Sequence, residues 1–404
     1  MAVPPFLHPF SEPGRTDHVR LVSGTGSTVV DADGREYLDA IASLWCVNVG
    51  HGRPEVVDAI SGQAARLATY NTFGRWTNEP ADRLAALISA RAPMPDARVF
   101  FTNSGSEAVD TAMKLARLCH VLRGDDERMT IVARDGGYHG TAYGGTTAQG
   151  MVPNRTGFGP LVPDVVHVGR HDLEAVASLF AERGATIAAV ITEPIQGASG
   201  VHTPEPGYLE GLRRLCDQHG ALLVLDEVIT GFGRLGTWFA GQRYGIEPDL
   251  VTFAKAVTSG YVPLGGVLVG DRVRQAIEAD PTMVLRTGFT YSGHPTATAA
   301  GVACVQVTED ADLLERAVAI GERLRPGLEA LRADGLVDAV RGDGAIWAVD
   351  VAAPHTAASR AQALLDDGVI VRPIGETTLA MCPPLVLTDD ETDRILDAVQ
   401  AVLR

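Results

Sequence analysis

Six short apolar runs between residues 98 and 270, RVFFT, TIVAR, IAAVIT, ALLVLD, LVTFA and GGVLVG, constrain this chain most. Helical segments such as SEAVDTAMKLARLCHVL and PGYLEGLRRLCDQHG separate them. The runs show little apolar–polar alternation, so each strand must be covered on both faces. Strands of that kind, joined by amphipathic helices, form a mostly parallel sheet with helices on either side. The pattern predicts a large α/β domain over residues 54–304. Beyond it a long helix, LLERAVAIGERLRPGLEALRADG, leads to strand-like AIWAVDV, VIVRPI and TLAMCPPLVL and a last helix, TDDETDRILDAVQAVLR. That order predicts a smaller α+β domain over 305–404. Residues 1–53 carry a hairpin signal around Asp33-Gly34 and are expected to pack with the small domain. The GTG at 24–26 opens no helix and reads as a turn, not a dinucleotide loop.

Bulk properties narrow the partners. With 404 residues and a formal charge of −16, the chain lacks the basic stripe that nucleic acid or an anionic membrane surface would require. No run approaches a membrane span, and the opening MAVPPFLHPFSEPGR has no export-signal pattern. The five cysteines are scattered, with no CxxC pair and no histidine at zinc spacing. Neither a disulfide framework nor a metal site is expected, and a cytoplasmic location is.

In doubly wound sheets, ligands gather beyond the carboxyl ends of the strands. Four features fall there. After RVFFT, the turn Ser104-Gly105-Ser106 opens a helix, where free N–H groups cradle a phosphate, although Ser104 to Glu107 also fits a helix capping box. After ALLVL, Asp226 could pair with a buried cation or cap a strand end, and Val228 lies on its side of the chain. After TIVAR, Tyr138 and His139 occupy a glycine-rich loop, where an aromatic ring can cover a flat ligand or pack the loop. After LVTFA comes Lys255, one of only two lysines beside 32 arginines. A buried lysine loses hydration, its pKa falls, and its amine becomes a nucleophile for carbonyl carbon; a guanidinium cannot do this. Lys114, the other lysine, lies mid-helix and serves as a comparison.

Together these features ask for a ligand with a phosphate, a ring bearing a protonatable nitrogen, and an aldehyde. Pyridoxal 5′-phosphate (PLP) has all three.

Over nearly its whole length the chain resembles the class III (omega) aminotransferases, PLP enzymes of fold type I. The resemblance rests on TNSGSE, GYHG, EPIQG, DEVITGFGR, PDLVTFAKAVTSGYVPLGG and FTYSGHP, in the family's order. SLWCVNVGHG and VRPIGETTLAMCPPL are most similar to amine:pyruvate and omega-amino acid:pyruvate transaminases. The resemblance implies a seven-stranded-type sheet and an aldimine between PLP and Lys255, which also moves the proton. It implies that Asp226 holds the pyridine nitrogen protonated, that Val228 and Tyr138 take the two ring faces, and that Gly105 and Ser106 take the phosphate. Glu193 would order the cofactor side, and Trp45, with Tyr138, would line the substrate pocket. Arg372 would bind the carboxylate of an amino or keto acid, its alternative being a surface ion pair. Thr290 would reach the phosphate of the neighbouring subunit, making the enzyme a homodimer. Gly74 stands where some relatives carry a pocket aromatic, which suggests an open site for a larger acceptor. The expected reaction is ping-pong transamination between a small-molecule amino donor and a carbonyl acceptor. A racemase, aminomutase or decarboxylase on the same fold, or amination of a larger biosynthetic intermediate, is the alternative. A non-catalytic effector-binding protein and a nicotinamide-dependent oxidoreductase are the less favoured classes.

Overall fold

The computed structural model of the chain describes residues 5–404; residues 1–4 of the expected N-terminal segment lie outside them. At its centre is a seven-stranded sheet in the order Arg98–Thr102, Gly265–Val269, Leu250–Phe253, Leu222–Asp226, Ile187–Thr192, Thr130–Arg134 and Val165–Val168. Gly265–Val269 runs antiparallel to both its neighbours, and the other pairings are parallel. Every residue of Thr130–Arg134, Ile187–Thr192, Leu222–Asp226 and Leu250–Phe253 is buried. Two-sided covering is why these strands read as continuous apolar runs. Val165–Val168 was not among the six runs: it is a half-buried edge strand of four residues, too short to stand out.

Two smaller sheets flank this one. Leu21–Thr25, Thr28–Asp31 and Glu36–Asp39 form the expected N-terminal hairpins, with the second turn at Gly34, whose φ is 82°. Asp31 closes that turn by accepting N–H bonds from Asp33 and Arg35. Glu36–Asp39 then pairs in parallel with Val369–Ile370 from the other end of the chain. The third sheet joins Val337–Asp343, Ile346–Val351, Thr378–Met381 and Arg372–Ile374. The residue expected to begin the small domain, 305, lies inside the helix Pro295–Asp310, which packs on Pro54–Leu67 and Glu79–Ser89.

Arg234 ties these parts together. It is fully buried, and its guanidinium donates to the carbonyls of Ala345 (3.1 Å) and Pro383 (2.6 Å) and to the side-chain oxygen of Asn48. Asn48 in turn donates to Phe232 and accepts from the N–H of Leu385 through its carbonyl. One cation thus joins the N-terminal segment, the central sheet's loops and the C-terminal region. Arg234→Leu leaves those buried acceptors unpaired and should lower stability by roughly 2–4 kcal/mol, checked by urea unfolding.

Candidate functional site

The strand ends Thr102, Arg134, Thr192, Asp226 and Phe253 share one edge of the central sheet, and a cavity of about 330 Å³ opens there. Ser104, Gly105, Ser106, Tyr138, His139, Glu193, Asp226, Val228 and Lys255 all line it. Residues far apart in sequence meet because each follows the carboxyl end of a strand running in the same direction.

At one end is the 18-residue helix Gly105–Leu122. The Ser104 hydroxyl accepts the Glu107 N–H at 3.2 Å, while Glu107 reaches back to the N–H of Asn103 at 2.7 Å. The capping reading of Ser104 therefore holds, and the N–H groups of Gly105 and Ser106 still lack an intrahelical acceptor. They point a positive helix end at the cavity, a setting that suits a phosphate. Gly140, with φ of 89°, closes over this turn; a Cβ there would lie 2.5 Å from the Ser106 hydroxyl. A Cβ on Gly105 would meet both Val228 methyls at 3.0 Å, so the space beside Val228 is kept by a missing side chain.

Asp226 is buried at the end of Leu222–Asp226. Its carboxylate accepts from Thr252 Oγ1 (2.9 Å) and the Val228 N–H (3.2 Å), and its other oxygen lies 2.7 Å from His139 Nδ1. Lys255 follows the adjacent strand with φ of 49°, a conformation costing of order 1 kcal/mol or more outside glycine. Its amine has no hydrogen-bond or ion-pair partner among the described residues. Burial pushes the amine below the usual lysine range, and Asp226 opposes that shift. An anion cradle, a buried carboxylate and an unpartnered, desolvated amine fit a phosphate, a protonated ring nitrogen and an aldehyde.

Glu193 supports the opposite wall, accepting the Tyr138 N–H at 2.8 Å and the Gly197 N–H at 3.2 Å. Burial pushes its carboxyl up to about 7, partly offset by His139. Burial likewise raises the Tyr138 hydroxyl, with Arg372 pulling it back.

Three expected residues stand elsewhere. Trp45 is 3% exposed and sits in a core cluster with Ile41, Ile195, Val201 and Ile229, while its neighbours Leu44 and Cys46 line the cavity. Arg372 does not line the cavity; its guanidinium carbon is 5.8 Å from the centre of the Trp45 ring. Thr290 is exposed and does not line its own chain's cavity. Sequence reading passed over Leu44, Cys46, Gly140 and Gly197; the GYHG and EPIQG motifs contain the last two. Among the described residues no group of three or more His, Cys, Asp or Glu could hold a metal ion, and no helix is long and apolar enough to cross a membrane.

Glu227, next to Asp226, is buried and accepts from Thr230 and the N–H groups of Ala240 and Gly241. Burial pushes it up to about 7. The folded state thus binds a proton that the unfolded chain has lost, and the stability this supplies below pH 4.5 disappears as pH rises through 7. Glu227→Gln should flatten the fall in melting temperature between pH 5 and 8, measured by scanning calorimetry.

The family model for Aminotransferase class-III matches residues 11–403. The omega-aminotransferase of Caulobacter vibrioides is 37% identical, with 96% of this chain and 94% of that protein aligned. The putrescine–pyruvate aminotransferase of Pseudomonas aeruginosa is 33% identical over 95% and 90%. Among solved structures, an (S)-enantioselective omega-transaminase from Thermomicrobium roseum superimposes with a TM-score of 0.94 at 38% identity, covering 98% of this chain and 95% of that one. A PLP-bound amine transaminase from an uncultivated Pseudomonas species gives 0.93 at 35%, over 100% and 99%.

Proposed function

The chain belongs to the class III aminotransferases, which are PLP-dependent, and on that premise we propose that it moves an amino group between an amine or omega-amino acid and a keto acid of the pyruvate type. The observation that carries this reading is Arg372: a half-buried guanidinium beside Trp45 and Tyr138, with no carboxylate partner among the described residues. An unpaired cation near a mostly apolar site suits a ligand that brings its own carboxylate. The omega-aminotransferase and putrescine–pyruvate relatives support the same substrate class.

PLP, when bound, supplies an aldehyde that condenses with amines and a ring that accepts electrons. Lys255 would hold the cofactor through its amine, and its desolvated Nζ is the base placed to move a proton at the donor carbon. Asp226 would pair with the ring nitrogen, and the hydrogen bonds from Thr252 and the Val228 N–H fix one of its oxygens. The N–H groups of Gly105 and Ser106 would hold the phosphate, and Val228 and Tyr138 would contact the ring. Glu193 places Tyr138 through its backbone. Trp45 serves the substrate pocket from behind, as the surface against which Arg372 rests.

The site is completed in a homodimer. Tyr70, Phe73, Trp76, Val284 and Tyr291 are exposed, and Thr72 binds the carbonyl of Ser292 at 2.9 Å, so the two segments bearing this apolar surface are linked. A second copy covering them is the setting in which Thr290 reaches a neighbouring phosphate. The five free cysteines support work in a reducing cytoplasm.

Arg372→Gln should raise KM for pyruvate roughly 30-fold or more while leaving the half-reaction with a carboxylate-free amine nearly unchanged. An unchanged KM would sink the substrate reading. Lys255→Arg should abolish turnover, whereas Lys114→Arg, whose amine meets only Thr287 at an exposed position, should keep wild-type kcat in the same assay.

A further inference from the structure

Beside the Trp45 indole stands Gly197, a residue that does not line the cavity. Gly197 begins the turn after EPIQ, and its carbonyl accepts the N–H groups of Gly200 (3.0 Å) and Val201 (3.1 Å). Its φ lies outside the left-handed region, so the backbone does not require glycine there. Space does. A Cβ on Gly197 would fall 2.8 Å from Ile229 Cδ1 and 3.1 Å from Trp45 Cζ3. The Ile229 methyl ends a flexible side chain and can rotate away.

The indole has less freedom. It is buried among Ile41, Ile195 and Val201, and its backbone has φ of 62°, following Ala42 at 47° and Ser43 at 62°. Its Nε1 is buried without an acceptor, so packing alone sets where the ring sits in its slot. The Arg372 guanidinium, 5.8 Å from the ring centre, has no hydrogen bond or ion pair among the described residues to hold it otherwise. The ring is thus the aromatic face against which the guanidinium is placed, and a shift of the ring moves that face.

We propose that Gly197 is a positioning residue for carboxylate recognition: its missing side chain sets the place of the Trp45 indole, and the indole sets the place of the Arg372 guanidinium. The inference rests on the reading of Arg372 as the carboxylate-binding group. It makes acceptor selectivity sensitive to position 197, whereas a purely structural glycine would affect all substrates alike.

The test compares pyruvate with butanal, an acceptor that lacks the carboxylate, using PLP-loaded enzyme and 1-phenylethylamine as donor. Gly197→Ala should raise KM for pyruvate about tenfold and leave KM for butanal and both kcat values within about twofold. In a Trp45→Phe background, where the outer indole ring is gone, the same substitution should leave KM for pyruvate unchanged. This double-mutant cycle also answers a variant that folds poorly, because removing the clash restores it. Equal losses for both acceptors, or the same loss with and without Trp45, would overturn the proposal. Arg372→Gln is measured in parallel. If it raises KM for pyruvate and Gly197→Ala does not, the positioning claim fails while the carboxylate reading stands. If Arg372→Gln has no effect, both fall.

Discussion

Asp226 ends one central strand and Lys255 stands just beyond the end of its neighbour, so a carboxyl group and an amine share an interior that solvates ions poorly. Asp226 is satisfied by Thr252, Val228 and His139, each fixed by the sheet or its loops. Lys255 has no such partners, and burial favours its neutral form. The fold therefore fixes the carboxyl group in place and leaves the amine without a partner among the described residues. That asymmetry is the condition on which the rest of the site depends. It arises from what each strand end offers: a hydroxyl and an N–H beside one group, and a left-handed turn with apolar walls beside the other.

Around that pair the site is built as much by missing atoms as by present ones. Gly105 leaves room beside Val228, and Gly140 lets its loop close onto Ser106. Gly197 leaves room for Trp45. Glu193 binds the N–H groups of both Tyr138 and Gly197, so the Tyr138 loop and the turn beside Trp45 share one carboxyl. A change in that carboxyl reaches both elements together. Arg234 does the same on a larger scale, since its acceptors come from segments some three hundred residues apart.

The strands that bear the chemistry were legible in sequence because complete burial makes each a continuous apolar run, and the reactive residues stand just after those runs. Val165–Val168 and Val337–Asp343 were not, since both are largely half-buried and Val337–Asp343 is mixed in polarity. Side-chain direction in irregular backbone was also hidden. Positive φ at Ala42, Ser43 and Trp45 turns the indole inward and presents Leu44 and Cys46 to the cavity, which no periodicity in SLWC reveals. Buried roles of arginine were equally invisible, because in a chain with 32 arginines composition does not single out Arg234.

The presence of only two lysines permits a direct test of the central claim. Reduction of the PLP-loaded protein with borohydride, followed by peptide mass mapping, should find the pyridoxyl label on the peptide containing Lys255 and none on that containing Lys114. Label on Lys114, or a PLP-loaded protein that takes up no label, would contradict the account.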